Sequence, residues 1–357
     1  MTKIFSRITQ QYHDFIALEK QDKVSYIKEF LINNSLYIFM IIAIIFIQIK
    51  SPMFLSKNSV INIISLSAAN LPIALGIAGC IVLTGTDLSA GRIVGLTACV
   101  AASLLQATGY ANKMFMDLET MPILVVLILV LAIGALVGLV NGFCVAKFSL
   151  HPFIVTLATQ LIVYGLLLMY LMIGTNQGQS ISGLDIGFST VITGSVISIG
   201  GTGIPNFVWY ALIITAIMWF IWNKTKFGKN MFAVGSNPEA ANVSGVNVAK
   251  TIILVFVLAG VMYGVTGFIE SARIGSNTAA TGLNYELDAI AACVIGGVSF
   301  VGGIGKIRGV IMGVVLLRLI FVGLTFLSID ANMQYIIKGL IILIACAVDM
   351  RKYLVRK

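Results

Sequence analysis

The residues best placed to do chemistry in this chain lie in a polar break between two apolar runs, within LTGTDLSAGR. Asp87 stands there with Thr86 and Ser89, and ionisable residues inside apolar runs are the first place to look for function. Two interpretations stay open. Asp87 can cap the helix that starts near Leu88, or the break can present polar groups to a pathway across a membrane, as broken helices do in transporters.

Arrangements of residues for catalysis are absent from the sequence. His13 and His151 stand far apart and outside any cluster of ligands, and the five cysteines show neither metal nor disulfide spacing. The glycine-rich stretch 296–309 resembles a phosphate-binding loop, but Phe300 replaces the first required glycine and Ile307 replaces the Ser or Thr that binds magnesium. We therefore predict no enzyme and no cofactor or metal on this chain. If ATP drives it, a partner subunit binds the ATP and magnesium.

Further ionisable residues fall in or beside the apolar runs. The three-residue spacing of Glu270 and Arg273 allows a local ion pair. Arg318 lies deep in its run, where we expect a structural partner, and Lys338 is near enough to the end of its run to reach the membrane surface. The acidic residues lie near the ends of runs, which argues against a carrier driven by protons or sodium. These residues are Glu270, Glu286 and Asp288.

The elements that position these residues are long apolar runs. Hydrophobic residues make up 59% of the chain and charged residues 10%, and runs of about 20 residues suit helices that cross roughly 30 Å of hydrocarbon. The fold class is therefore predicted to be all-α, a polytopic membrane protein with about ten transmembrane helices. Glycine pairs such as Gly134 with Gly138, and Gly309 with Gly313, predict tight contact between helices. The spans are expected at residues 35–50, 59–83, 89–107, 122–146, 152–173, 206–223, 251–270, 285–301, 308–327 and 332–349.

The distribution of positive charge predicts the orientation. With the N-terminus inside the cell, 17 of the 23 Lys and Arg residues fall on cytoplasmic segments and 4 on the opposite side, while Arg318 and Lys338 lie within spans. Loops of membrane proteins that remain in the cytoplasm carry an excess of Lys and Arg. Both termini are therefore predicted to be cytoplasmic. The net charge of +9 is explained by Lys and Arg residues kept on one side of a lipid bilayer, so we predict the bilayer, and not nucleic acid, as a partner.

Domain organisation follows from this layout. Residues 1–34 mix both charge signs and form a predicted cytoplasmic charged lead-in rather than a cleavable signal. The transmembrane domain is predicted to cover residues 35–350, followed by a cytoplasmic tail at 351–357. The segment 174–205, rich in Gly, Ser and Thr, is too long for a tight turn, and we expect it to fold over the outer mouth of the spans.

A second polar feature is the segment 223–250, NKTKFGKNMFAVGSNPEAANVSGVNVAK, which lies between two apolar runs. Its four lysines favour the cytoplasmic side. Within it, Asn237 can cap a helix, Pro238 suits the first helical position, and Glu239 favours the positive end of the helix dipole. We therefore predict a short cytoplasmic helix in this loop, of a kind that docks to a partner chain.

Four motifs in the same order resemble those of one known family. They are LTGTDLSAGRIVGL, GLVNGFCVAKFSLHPFIVTLAT, GSNPEAANVSGVNV and ELDAIAACVIGGVSFVGGIGKIRGVIMGV. The chain is similar, from about Pro52 to Tyr353, to the sugar-type membrane permeases of bacterial ABC importers, the group of the ribose and galactose systems. The details Gly85-Thr86-Asp87, WNKTKFGKN and QYIIKGLIILIACAVD look most like the galactose/methyl-galactoside branch of that family.

The resemblance implies a function and a set of partners. It implies a permease subunit that imports a monosaccharide, galactose or methyl galactoside first, across the bacterial inner (plasma) membrane. Two copies would form the pore as a homodimer, a separate cytoplasmic ATP-binding subunit would drive it, and a periplasmic sugar-binding protein would deliver the sugar. Two alternatives stay open: a permease for ribose or another small sugar, and a secondary carrier that works without partners.

The resemblance also implies site residues. Ser236 replaces a glycine that is commoner in the family, and we do not expect this difference to change the role of the coupling segment. A neutral sugar needs polar groups that bind hydroxyls rather than opposite charges. The coupling residues implied by the family are Gly235, Ser236, Asn237, Pro238, Glu239, Ala240, Ala241, Ser244 and Gly245. The candidates for the sugar pathway are Asn70, Thr86, Asp87, Ser89 and Asn141.

Overall fold

The computed structural model describes residues 35–199 and 201–354 of the 357-residue chain. The predicted charged lead-in, residues 1–34, lies outside the described residues, and so do residues 355–357 of the predicted tail. The described residues are mostly helical, with one two-stranded hairpin, in agreement with the predicted helical fold.

The chain divides into two compact units, residues 1–52 and residues 53–357. In the first unit, α1 (Ser35–Lys50) is an apolar helix with one lysine in its last turn. In the second unit, the helices before the hairpin are α2 (Lys57–Val82), α3 (Ala90–Leu104), α4 (Ile123–Phe148), α5 (Pro152–Leu171) and α6 (Ile186–Thr193). The hairpin pairs β1 (Ile197–Ile199) with antiparallel β2 (Thr202–Ile204). The later helices are α7 (Asn206–Lys224), α8 (Lys226–Ser236), α9 (Pro238–Val243), α10 (Val248–Ile274), α11 (Tyr285–Ile295), α12 (Ile307–Phe326) and α13 (Ala331–Leu354).

Six helices among the described residues are long and apolar enough to cross a membrane, namely α2, α4, α5, α7, α10 and α12. Shorter apolar helices lie in α1, α3 and α13. The eighth predicted span, 285–301, is only partly helical, because α11 ends at Ile295 and the following Gly296 and Gly297 turn the chain, the latter at φ +83°. Its 11 residues extend roughly 16 Å, well short of the hydrocarbon thickness. The structure therefore agrees with a polytopic membrane protein and shows that not every apolar run is a full-length helix.

Helix α10 packs at the centre of the second unit, against α4, α3 and α2. The predicted glycine pair on α4 explains the contact with α10: a Cβ at Gly134 would overlap the Gly260 carbonyl oxygen, and a Cβ at Gly138 would overlap that of Phe256. The second predicted pair, Gly309 and Gly313, packs α12 against α11 in the same way. Both glycine predictions are confirmed, and both allow helix backbones to approach closely.

Close backbone contacts also fix the short helix α3. Gly91, at its start, packs against the Gly282 carbonyl and the Glu286 carboxylate, and Gly95 packs against the Thr281 carbonyl. Thr281 and Gly282 belong to the irregular segment that joins α10 to α11, and Glu286 lies in the first turn of α11. The polar break before α3 is thus held from one side by a second stretch of non-helical backbone, which is tolerated in membrane domains where protein surrounds it.

The segment 174–205 has structure of its own. It contains α6, capped by the Asp185 carboxylate, and the β1–β2 hairpin. Gln106 connects the segment to the end of α3, because its Nε2 donates to the Ser182 carbonyl at 2.7 Å and its Oε1 accepts from the Met114 amide at 2.8 Å. This segment is a folded part of the second unit rather than an open loop.

Candidate functional site

The predicted docking helix is present as α9, and its start has the predicted geometry. Asn237 has an extended backbone, with φ −161°, and its Oδ1 accepts a hydrogen bond from the Ala240 amide at 2.9 Å. Pro238 occupies the first helical position and Glu239 the first turn. The cap satisfies one of the free amides at the helix start, and the carboxylate is placed at the positive end of the dipole.

One side of α9 is exposed and the other is anchored. Ala241 is buried, whereas Glu239, Ala240 and Val243 are exposed, and the exposed fraction of Val243 reaches 90%. The chain leaves the helix through Gly245, whose φ of +83° is a left-handed conformation that favours glycine. An exposed apolar side chain beside an exposed carboxylate makes this face suitable for contact with another protein.

An open groove of about 820 Å³ runs beside α9. The end of α4, α9 itself and the start of α10 supply its walls. Glu239 and Asn242 give the groove polar groups, and Val145 and Ile252 give it an apolar floor. The coupling segment therefore presents both a protruding helix and a recess next to it.

Three glycines join the coupling segment to the end of α2. A Cβ at Gly235, the next-to-last residue of α8, would overlap the Val82 carbonyl oxygen, and the Gly303 amide donates to that same oxygen at 2.8 Å. Gly302 packs against the Gly235 carbonyl and Thr84. The glycine contact formed by Gly235, Gly302 and Gly303 therefore brings α8 directly against the last turn of α2, just before the polar break.

The polar break contains a buried hydrogen-bonded group that we name the Asp87 network, made of Asp87, Ser89, Asn141 and Thr159. Asp87 Oδ1 accepts from the Ser89 amide at 3.0 Å and from its hydroxyl at 2.6 Å. Asn141 Nδ2 donates to Ser89 Oγ at 3.0 Å, and the Thr159 hydroxyl donates to Asn141 Oδ1 at 2.7 Å. The first three residues have no exposed surface. The network joins the break to α4 and α5.

The second carboxylate oxygen of Asp87 is differently placed. Oδ2 is buried without a hydrogen-bond partner in the part of the chain that the structure describes, and so is the hydroxyl of Tyr263 on α10. Tyr263 interacts with Asp87 and with Cys80, but neither contact meets hydrogen-bond geometry. Unsatisfied buried polar atoms are rare in folded proteins, and this pair marks a polar point inside the helix bundle.

Asn70 lies in a different group, which we name the Asp288 cluster, made of Asn70, Asp288, Arg318 and Lys338. Arg318 Nη2 donates to Asn70 Oδ1 at 2.7 Å and to Asp288 Oδ2 at 3.1 Å. Lys338 Nζ lies 2.6 Å from Asp288 Oδ1. The expected structural partner of Arg318 is thus present. Lys338 is held by Asp288, whereas the sequence suggested that it reaches the membrane surface.

A third polar contact follows the predicted spacing on α10. Arg273 donates to both carboxylate oxygens of Glu270, with the shortest contact at 2.7 Å from Nη2, and the Tyr285 hydroxyl donates to Glu270 Oε2 at 3.3 Å. Glu270 is fully buried. The predicted local pair is confirmed, and a two-pronged guanidinium contact is a strong form of carboxylate binding.

The five pathway candidates therefore fall into two places. Asp87, Ser89 and Asn141 meet in one network, and Thr86 borders it, because its carbonyl accepts from the Thr156 hydroxyl at 3.2 Å. Asn70 belongs to the Asp288 cluster instead. Thr159 in the Asp87 network, and Thr156 and Tyr263 beside it, are not predictable from the sequence, because isolated hydroxyls in apolar helices form no pattern. The meeting of Asp288, Arg318 and Lys338 is not predicted either.

Together, the long apolar helices are those of a polytopic membrane protein. Residues 59–346 match the family described as branched-chain amino acid transport system / permease component, and the chain belongs to this family. The resemblance found in the motifs is confirmed. No solved structure matches the chain.

Named relatives are similar over nearly the whole chain. The galactose/methyl galactoside import permease protein MglC of Escherichia coli (strain K12) is 48% identical over 96% of this chain and 99% of its own length. The protein of the same name from Haemophilus influenzae is 44% identical, over 96% of this chain and 99% of its own length. The ribose import permease protein RbsC of Escherichia coli (strain K12) is 34% identical, over 91% of this chain and 96% of its own length.

Proposed function

We propose that this chain is the permease subunit of an ATP-binding-cassette importer that carries galactose or methyl galactoside into the bacterial cytoplasm. The observation that carries the proposal is the 48% identity to a galactose/methyl galactoside import permease over nearly all of both chains. The chain has no phosphate-binding loop in its sequence, so the ATP and magnesium belong to a separate cytoplasmic ATP-binding subunit.

The assembly that follows contains several partners. Two copies of the chain form the pore as a homodimer in the inner membrane, with both termini in the cytoplasm, and a periplasmic sugar-binding protein delivers the sugar. The excess of Lys and Arg on the segments assigned to the cytoplasm supports this orientation. In it, α9 faces the cytoplasm, where the ATP-binding subunit is found.

The coupling segment is the proposed point at which the ATP-binding subunit acts. Its residues are Gly235, Ser236, Asn237, Pro238, Glu239, Ala240, Ala241, Ser244 and Gly245. The exposure of α9 and the groove beside it support the role, since they offer a projecting face and a recess to one partner. When ATP binding closes the partner, α9 moves with it. The glycine contact then passes the displacement to the end of α2, because Gly235 and Val82 are in direct backbone contact.

The polar break just beyond that contact is the proposed inner part of the sugar pathway. Thr86, Asp87, Ser89 and Asn141 offer carboxylate, hydroxyl and amide groups of the kind that bind sugar hydroxyls. In the present conformation the side chains of Asp87, Ser89 and Asn141 bind one another. They become available to a sugar only when displacement of α2 opens the Asp87 network. Asn70 lies at the middle of α2, so we place it on the pathway at a different depth in the membrane from the polar break that follows the end of α2.

Uptake by the reconstituted complex tests this function. The chain is placed in liposomes with its ATP-binding subunit, and binding protein loaded with galactose, methyl galactoside or ribose is supplied outside. We expect uptake of galactose and methyl galactoside that requires ATP and both partners. Ribose uptake in place of galactose would assign the other cargo, for which the 34% identity to a ribose permease is the supporting observation. Uptake by the chain alone, without ATP, would contradict the proposal and indicate a secondary carrier.

A further inference from the structure

The Asp288 cluster has more positive than negative charge. Asp288 alone faces both Arg318 and Lys338. The two other carboxylates of this region are already engaged: Glu270 pairs with Arg273, and the favourable charge interaction of Glu286 is with Arg92. One cation is therefore left without a carboxylate of its own among the described residues. A cluster that served only to hold helices together would be more stable as a matched pair.

The cations of the cluster also have unused hydrogen-bonding capacity. Both hydrogen bonds of Arg318 in the described part of the chain come from Nη2, although a guanidinium carries five N–H donors. Lys338 has three donors and one carboxylate partner. The exposed fractions of these two side chains are 15% and 17%, whereas Asn70 and Asp288 are buried. The unused donors are thus on the two side chains of the cluster that keep the most exposed surface.

Two aromatic rings stand beside these donors. The Phe321 ring centroid lies 5.1 Å from Lys338 Nζ, and the Tyr335 ring centroid lies 5.6 Å from the same atom. Tyr335 is 60% exposed. Donors and a carboxylate on one side, with an exposed aromatic ring next to them, fit a pyranose. Its hydroxyls both donate and accept hydrogen bonds, and its C–H face packs on aromatic rings.

We propose that Asn70, Asp288, Arg318 and Lys338, with the ring of Tyr335, form a subsite for a neutral sugar on the transport pathway. A sugar hydroxyl donates to Asp288 and accepts from Lys338 or from the free N–H groups of Arg318, while Tyr335 covers the apolar face of the sugar. Lys338 is seven residues from the start of α13, roughly 10 Å along the helix axis. In the proposed orientation the subsite lies at the level of the middle of α2, on the outer side of the Asp87 network. This inference rests on the proposed function.

The variant Lys338→Met separates a subsite from a purely structural cluster. It keeps the length of the side chain and leaves Asp288 paired with Arg318. In a cluster that only holds helices together, the change can alter stability and assembly, but it cannot make uptake depend on a particular hydroxyl of the sugar. A subsite loses one charge-assisted donor. We expect galactose uptake, measured per assembled complex, to fall about tenfold at saturating loaded binding protein. The matched control is Lys57→Met, the same change at an exposed lysine at the start of α2, where uptake should equal that of the parent.

A second variant and a second readout make the test specific for sugar binding. Tyr335→Leu, at a largely exposed position, should assemble normally and reduce uptake about threefold. Uptake of monodeoxy galactoses is then compared between the parent and Lys338→Met. For at least one of these sugars, the parent and Lys338→Met should show nearly equal uptake. That sugar lacks the hydroxyl that Lys338 binds in the parent.

Three results would overturn the subsite. They are parental uptake by Lys338→Met, parental uptake by Tyr335→Leu, and a loss in Lys338→Met that is the same for every deoxy sugar. Failure of the proposed function is a separate outcome, because it shows in the parent. If the parent complex imports another sugar, the proposed cargo is wrong. The subsite is then tested by comparing uptake of the monodeoxy forms of that sugar between the parent and Lys338→Met.

Discussion

The Asp87 network and the Asp288 cluster are two polar groups inside the same helix bundle, and they are built differently. In the Asp87 network, one carboxylate oxygen accepts from Ser89, and the remaining hydrogen bonds join neutral groups. In the Asp288 cluster, two cations share one carboxylate and keep donors to spare. The first group is almost completely enclosed, whereas the cations of the second are partly exposed. The contrast separates an enclosed network, whose side chains mostly bind one another, from a cluster whose spare donors lie on partly exposed cations.

The largest expected effect is the loss of stability when the carboxylate of the Asp288 cluster is replaced by a neutral amide. Asp288→Asn leaves Arg318 and Lys338 close together without their carboxylate, and breaking a buried pair in this way costs about 3–5 kcal/mol. We expect a large fall in the thermal unfolding midpoint of the purified chain in detergent. The double variant Asp288→Asn with Lys338→Met should regain part of the loss, because it removes one of the two cations.

The control for this prediction is Asp117→Asn, the same change at an exposed carboxylate. Its unfolding midpoint should match that of the parent. If Asp288→Asn were equally harmless, the cluster would not depend on its carboxylate, and the contrast between the two groups would be lost.

A smaller effect is expected at Asp87. Asp87→Ala removes the acceptor of both hydrogen bonds from Ser89 and should destabilise the chain by about 2 kcal/mol. Asp87→Asn retains Oδ1 as an acceptor, so we expect nearly normal assembly together with reduced sugar uptake. Normal uptake by the assembled Asp87→Asn complex would show that Asp87 holds the break before α3 and does not serve the pathway. A loss of stability in Asp87→Asn as large as that in Asp288→Asn would remove the distinction between the groups.

The smallest effect is expected at the edge of the Asp87 network. Thr159→Val removes the hydroxyl that donates to Asn141, at a cost of about 1 kcal/mol. The control is Thr193→Val, at an exposed threonine whose hydroxyl donates to a carbonyl of its own helix. The difference between their unfolding midpoints measures the contribution of one buried neutral hydrogen bond. Equal midpoints would mean that Asn141 does not depend on Thr159.

The two groups also show how much the sequence could predict. The start of α9 was predictable because Asn237, Pro238 and Glu239 each act within one helical turn: Asn237 accepts from an amide, Pro238 has the φ of the first helical position, and Glu239 stands at the positive end of the dipole. The contact of α4 with α10 was predictable because Gly134 and Gly138 lie on one face of a helix whatever surrounds them. These are local rules, and they depend on spacing alone.

The Asp288 cluster was not predictable in the same way. Asp288, Arg318 and Lys338 come from three helices, and their meeting depends on how those helices rotate and approach one another. For the same reason, the sequence does not predict that Asn70 lies in the Asp288 cluster and not in the Asp87 network. The end of α11 at Ile295 was also missed, because apolar composition continues past the point where Gly296 and Gly297 turn the backbone.

We propose that α9 transmits the action of an ATP-binding subunit to the permease, and substitutions on the exposed face of α9 test this proposal. Glu239→Arg with Ala240→Arg changes the exposed face of α9, and sugar-stimulated ATP hydrolysis is measured in the reconstituted complex. The control is Asn223→Arg, which adds an exposed arginine to the same polar segment outside α9. We predict that the α9 variant loses both the stimulation and the uptake, while the control keeps them. Unchanged stimulation and uptake in the α9 variant would contradict the account.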